Sequence, residues 1–121
     1  MITVVVAGMG KERISQLVEQ LGDGRATAQI RTDLEAATAV KSGRADYYIG
    51  ACQSGAGGAL AVANAILGSG AVARLSGVGM TADPEAVRAA VTGGKRAFGI
   101  SYSQIDEVVP MLMGAIFEQA D

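Results

Sequence analysis

The chain has 121 residues, 50% of them hydrophobic and 4% aromatic, and a formal net charge of −2. The length suits a single domain over residues 1–121, and the absence of a basic run argues against a nucleic-acid partner. The sequence contains no run of 18 or more apolar residues, so we expect no membrane-spanning helix. The single cysteine and the lack of a signal-peptide pattern indicate a cytoplasmic protein. Because the sequence has no histidine, histidine bases, triads and zinc sites are excluded, and we predict no metal and no cofactor.

Short apolar runs alternate with longer amphipathic segments along the chain, as in proteins that mix strands and helices. The runs predict strands at 2–7, 26–30, 46–50, 71–75 and 96–100. The segments between and after them predict helices at 11–21, 34–41, 57–67, 84–92 and 103–119. Asp33 is expected to cap the second helix, and Pro110 is expected to bend or interrupt the last one.

Five strands that alternate with five helices predict parallel βαβ units. We therefore expect a Rossmann-like, three-layer α/β/α sandwich with a five-stranded parallel sheet. Ligands bind to such folds beyond the carboxyl ends of the strands. The candidate loops are 8–11, 31–33, 51–58, 76–81 and 101–104.

The stretch IGACQSGAGG, residues 49–58, contains the only cysteine of the chain. Gly55, Ala56 and Gly57 leave backbone amides open at the predicted start of a helix, where an anion is favoured. Ser54 can add a hydroxyl, and Cys52 stands just before that positive end, where a thiolate would be stabilised. The alternative is a buried cysteine, with glycines that only let the helix pack closely on the sheet.

Other candidate residues stand at the remaining predicted strand ends. Gly8-Met9-Gly10-Lys11 begins like a dinucleotide fingerprint, but Arg13 stands where the third glycine should be, so tight turns explain it better. Arg31 and Arg74 end predicted strands, where a guanidinium could bind a phosphate or carboxylate. The alternative for both arginines is a solvated or ion-paired side chain.

Four segments carry a resemblance that spans nearly the full chain: VVVAGMGKERI, ADYYIGACQSGAGGAL, GKRAFGIS and VVPMLMGAI. In them the sequence resembles the YhfU-like family of small glycine-rich bacterial proteins. That family has no established function, so the resemblance implies relatives but no activity.

The order of elements also resembles type B ribose-5-phosphate isomerases and galactose-6-phosphate isomerase subunits, whose third strand ends in Cys-Gly-Thr-Gly-Xaa-Gly. The resemblance implies that Cys52 is the base that moves a proton between two sugar carbons. It implies that Ser54, Gly55 and Gly57 hold the enediolate intermediate. It also implies a dimer or larger homo-oligomer, with the apolar helix at 57–67 as a subunit contact.

The chain departs from that family in lacking histidine, in having Gly8 and Met9 where an Asp and often a His follow the first strand, and in having Gln53 in place of a loop glycine. The predicted function is binding of a small metabolite that bears a phosphate or carboxylate, with Cys52 as base of an isomerase-like reaction. The alternative is a non-catalytic oligomeric accessory or assembly protein of a metabolic pathway. The predicted ligand-binding residues are Gly8, Gly10, Lys11, Arg31, Gln53, Ser54, Gly55, Ala56, Gly57 and Arg74.

Overall fold

The strands of the computed structural model are Ile2–Gly8 (β1), Ala26–Ile30 (β2), Tyr47–Cys52 (β3), Val72–Arg74 (β4) and Ala97–Ser101 (β5). The helices are Lys11–Gly22 (α1), Asp33–Lys41 (α2), Gly58–Leu67 (α3), Pro84–Thr92 (α4) and Ile105–Ala120 (α5). The structure describes residues 1–55 and 57–121.

The strands lie in the order β2-β1-β3-β5-β4, and each neighbouring pair of strands is parallel. This confirms the predicted Rossmann-like α/β sandwich. From β1 the chain continues to β2, at one edge of the sheet, whereas from β3 it continues to β4, at the opposite edge. The carboxyl ends of β1 and β3 therefore form the switch point of the strand order, where folds of this kind bind ligands.

Successive residues of β1 face two different helical layers, as the period of a strand requires. Val4 and Val6 pack towards the layer formed by α1, α4 and α5, whereas Val5 and Ala7 pack towards the layer formed by α2 and α3. All four side chains are buried. This burial on both faces explains why the strand is a continuous apolar run rather than an alternating one.

The start of α3 lies close to the sheet because the strands beneath it carry glycine. Gly50 of β3 and Gly99 of β5 are register partners on the face covered by α2 and α3. A Cβ atom on Gly99 would overlap the Gly55 carbonyl oxygen and would lie 2.7 Å from the Leu60 side chain. Gly99 thus allows the loop after β3 to pack closely on the carboxyl end of β5.

The expected cap of α2 is wrong. Thr32, not Asp33, caps α2: its hydroxyl accepts the Glu35 amide at 3.2 Å and the Glu35 carboxylate accepts the Thr32 amide at 3.0 Å. This reciprocal capping box satisfies two amides that the helix leaves without partners. Asp33 is instead the first helical residue.

Helix α5 continues through Pro110 without interruption. A proline removes the donor for the carbonyl four residues earlier, which here belongs to the exposed Asp106. Because Asp106 is exposed, water can replace the missing donor. The helix begins at Ile105, later than expected, because residues 102–104 form a 3₁₀ turn.

Candidate functional site

Cys52 ends β3 with a half-buried side chain beside the start of α3. The Gly57 amide donates a hydrogen bond to its sulfur at 3.1 Å, and the Ser54 hydroxyl oxygen lies 3.8 Å from the sulfur. A Cβ atom on Gly57 would lie only 3.2 Å from the sulfur. Glycine at this position therefore lets the amide approach the thiol directly.

The loop changes the acidity of this thiol. Burial raises the pKa of Cys52, but hydrogen bonds from the Gly57 amide and from Ser54 and Gly55 outweigh burial and hold the pKa below its usual value. Amides at the start of a helix stabilise negative charge. In this structure the group that receives that stabilisation is the cysteine sulfur itself.

The Cys52 loop is held from the side by the segment that follows β4. Gly55 has a φ of +79°, and a Cβ atom there would overlap the Ser76 carbonyl oxygen. The Arg74 guanidinium donates a hydrogen bond to the Ser54 carbonyl at 2.8 Å. Arg74, the last residue of β4, thus connects that strand to the Cys52 loop. Its guanidinium is oriented by this hydrogen bond within the protein.

A buried serine lies beside Cys52 on the neighbouring strand β5. Ser101 is the register partner of Cys52 and is 2% exposed. Its amide donates to the buried Ser76 hydroxyl oxygen at 2.9 Å, and its own hydroxyl lies 2.9 Å from that of Ser103. These contacts connect the ends of β3 and β5 to the loop after β4.

Asp33 and Tyr48 form a pair that the sequence analysis did not assign to the site. The Tyr48 hydroxyl donates a hydrogen bond to Asp33 Oδ1. Burial and this hydrogen bond raise the pKa of Tyr48, so it stays protonated as a donor. Asp33 Oδ2 lies 3.9 Å from the position that a Cβ of Gly58 would take, at the start of α3. The sequence contained one signal that Tyr48 belongs near the site: Tyr48 and Cys52 are four residues apart on one strand and so share a face.

A cavity of about 430 Å³ opens at the carboxyl ends of β1 and β2. Three predicted site residues, Gly8, Lys11 and Arg31, line it together with Asp33. Gly8 has a φ of +92°, and a Cβ there would overlap the Ala51 carbonyl oxygen, so only glycine fits between the two strand ends. Glu35 also lines this cavity, so the structure brings two cations and two carboxylates to one cavity beside the switch point.

The other predicted residues are more scattered. Gly10 lines a different cavity of about 320 Å³, next to the 2.9 Å ion pair of Arg13 with Asp106. Gln53 is exposed at the tip of the Cys52 loop. Ala56, also predicted to bind ligand, lies outside the described residues.

A metal-binding group of side chains and a membrane-spanning helix are both absent from residues 1–55 and 57–121. Within these ranges no three acidic, cysteine or histidine side chains gather into a group that could hold a metal ion. No helix there is long and apolar enough to cross a membrane.

Residues 2–116 match the family described as "Protein of unknown function DUF2620". The chain belongs to this family. The DUF2620 chain is also 40% identical over 108 residues to the uncharacterised protein YhfU of Escherichia coli K12 and to that of Shigella flexneri. The alignments cover 89% of this chain and 92% of each relative, which confirms the resemblance to YhfU.

The fold of this DUF2620 chain is similar to that of type B ribose-5-phosphate isomerases, as the sequence predicted. The enzyme of Trypanosoma brucei superposes with a TM-score of 0.72 at 18% identity, over 96% of this chain and 85% of the enzyme. The Giardia lamblia enzyme gives 0.70 at 18% identity, over 97% and 94%. At such identities the similarity establishes the fold and leaves the chemistry to the residues at the site.

Proposed function

We propose that the protein binds a small metabolite bearing a phosphate or carboxylate at the carboxyl edge of its sheet, and that Cys52 acts there as a base. The observation that carries the proposal is the 3.1 Å hydrogen bond from the Gly57 amide to the Cys52 sulfur. This bond favours the thiolate, the form of cysteine that can accept a proton. The thiol stands at the end of β3, one of the two strands at the switch point.

The cavity beside the switch point suits the anionic end of such a metabolite. Lys11 and Arg31 line it together with the carboxylates of Asp33 and Glu35, and the two cations can neutralise a phosphate or a carboxylate. Arg31 is already oriented by a 2.8 Å hydrogen bond from its guanidinium to the Ile30 carbonyl. A volume of about 430 Å³ lies within the range of small-molecule pockets.

Isomerisation of a sugar phosphate is the reaction that fits these groups best. A thiolate at Cys52 would remove the proton from the carbon next to the sugar carbonyl, and an enediolate would form. The resulting thiol would return that proton to the neighbouring carbon. The likeness in fold to type B ribose-5-phosphate isomerases supports this substrate class. Because the reaction needs a free thiol, and Cys52 is one, we place the protein in the reducing cytoplasm.

The experiment measures melting temperature and turnover with ribose 5-phosphate, galactose 6-phosphate and matching sugar carboxylates. We expect at least one of them to raise the melting temperature, because a ligand that binds only the folded state stabilises it. Arg31→Ala should weaken that shift, and Cys52→Ser should abolish turnover while it preserves the shift. If no compound shifts the melting temperature, the proposed binding site does not exist.

One observation favours a second candidate, a non-catalytic accessory protein that binds the same anion. The chain has no histidine that could open a sugar ring as a general acid or base. For such a protein, ligands would shift the melting temperature of the wild type and of Cys52→Ser equally, and neither protein would interconvert any sugar phosphate.

A further inference from the structure

The hydrogen-bonded pair of Asp33 and Tyr48 has no part in the chemistry derived above. Tyr48 is 1% exposed within the layer of α2 and α3, and its hydroxyl donates to Asp33 Oδ1. A buried hydroxyl needs a partner, and the bond to Tyr48 also fixes the direction of the carboxylate. Asp33 is the first residue of α2, where the helix dipole favours its negative charge.

The Cys52 thiol and the Asp33 carboxylate lie near two consecutive residues, Gly57 and Gly58, at the start of α3. The Gly57 amide binds the Cys52 sulfur, and the next residue, Gly58, faces Asp33 Oδ2. Tyr48 and Cys52 are four residues apart on β3 and so lie on the same face of the strand. Asp33 also lines the cavity that Lys11 and Arg31 line, so one residue connects the start of α3 with the proposed anion site.

Conversion of an aldose to a ketose needs two proton transfers, one between carbons and one between oxygens. A single thiol can carry the first transfer. The second requires a group that accepts the proton of the hydroxyl and delivers a proton to the carbonyl oxygen. With no histidine in the chain, a carboxylate of fixed orientation can perform this transfer.

We propose that Asp33 is the second proton-transfer group of this site and that Tyr48 is the residue that positions it. The assignment rests on the proposed function. The Cys52 thiolate takes the proton from C2 and later returns it to C1. Asp33 takes the proton from the C2 hydroxyl and delivers it to the C1 carbonyl oxygen. Bonds and charges balance, and both residues return to their starting state without a co-reactant.

The test follows ribose 5-phosphate and galactose 6-phosphate by NMR in deuterated water, which separates exchange at carbon from full interconversion. Asp33→Asn keeps an oxygen that can accept the Tyr48 hydroxyl but cannot carry the proton. We expect this variant to retain deuterium exchange at carbon within about tenfold while interconversion falls by about 100-fold or more. Asp83→Asn is the matched control, since it removes a carboxylate from the start of α4 and should leave both rates unchanged.

Tyr48→Phe tests the positioning role. Without the hydroxyl donor the Asp33 carboxylate loses its fixed direction, so the proton transfer between oxygens should slow while the transfer between carbons persists. We therefore expect interconversion to fall while deuterium exchange at carbon stays near the wild-type rate, and the alkylation rate of Cys52 reports whether the site is still folded. A purely structural tyrosine would lower the melting temperature and would change both rates equally.

The possible results distinguish a failure of the role of Asp33 from a failure of the proposed isomerase function. If Asp33→Asn interconverts the sugars at the wild-type rate, Asp33 is not the second group and the role of Cys52 stands. If Asp33→Asn loses exchange and interconversion equally at an unchanged melting temperature, the assignment of the two proton transfers to two separate residues is wrong. If the wild type neither exchanges nor interconverts either sugar, the proposed isomerase function fails and the inference fails with it.

Discussion

Cys52 is the only thiol of the chain, so its reactivity can be measured without interference from another cysteine. Burial raises the pKa of this thiol, and the hydrogen bonds from Gly57, Ser54 and Gly55 lower it further than burial raises it. A lowered pKa means that the thiolate persists to lower pH than in an ordinary cysteine. We predict that the midpoint of its alkylation by iodoacetamide, measured against pH, lies below the midpoint of a free cysteine.

A pair of glycine variants tests the cause of that shift. In Gly57→Ala the new methyl group would lie 3.2 Å from the sulfur and push it away from the amide, so the midpoint should move back towards that of a free cysteine. Gly70→Ala is the control, because a Cβ there meets no atom within 4 Å. A wild-type midpoint at or above that of a free cysteine would contradict the lowered pKa.

At the scale of elements, the loop after β3 and the segment after β4 lock against each other through Gly55. We predict that Gly55→Ala lowers the free energy of unfolding by about 3 kcal/mol or more, because the left-handed backbone and the overlap with the Ser76 carbonyl both oppose a side chain. Gly79→Ala is the matched control: its φ is +71° but its surroundings are open, so about 1 kcal/mol should be lost. Urea unfolding measures both, and equal losses would show that the contact between the loops has no effect.

The elements that could be predicted from the sequence are those with local signals. The β-branched run of β1 and the Asp83-Pro84 start of α4 depend on a few adjacent residues, and both lie as expected. Strand β4 is shorter than predicted, at three residues, because its length is set by pairing with β5. Pairing of this kind is not encoded in the segment itself.

The same distinction applies to the candidate site. Cys52 and Gly57 are five residues apart, so their contact could be anticipated from one loop. Asp33 and Tyr48 are 15 residues apart on different elements, and their contact depends on how α2 packs against β3. Local spacing carries no information on such a contact, so it emerged only from the folded structure.

At the scale of the whole molecule, helices α3 and α4, which lie in opposite layers, differ in charge. Helix α3 contains no charged residue, and its exposed positions include Ala61, Asn64 and Ala65. Helix α4, in the opposite layer, contains Glu85 and Arg88. A helix surface without charge is typical of protein interfaces, so we propose that a second copy of the chain covers α3, as the sequence-based expectation of a homo-oligomer requires.

This assembly predicts the outcome of a sedimentation experiment. The wild type should sediment with the mass of two or more chains. Ala65→Glu should shift that mass towards the mass of one chain, because an unpaired charge inside an interface is strongly unfavourable. Ala86→Glu, at an exposed position on α4, adds the same charge outside the proposed contact and should leave the assembly intact. A wild type that sediments as a monomer would contradict the proposal. Equal effects of the two variants would place the contact elsewhere.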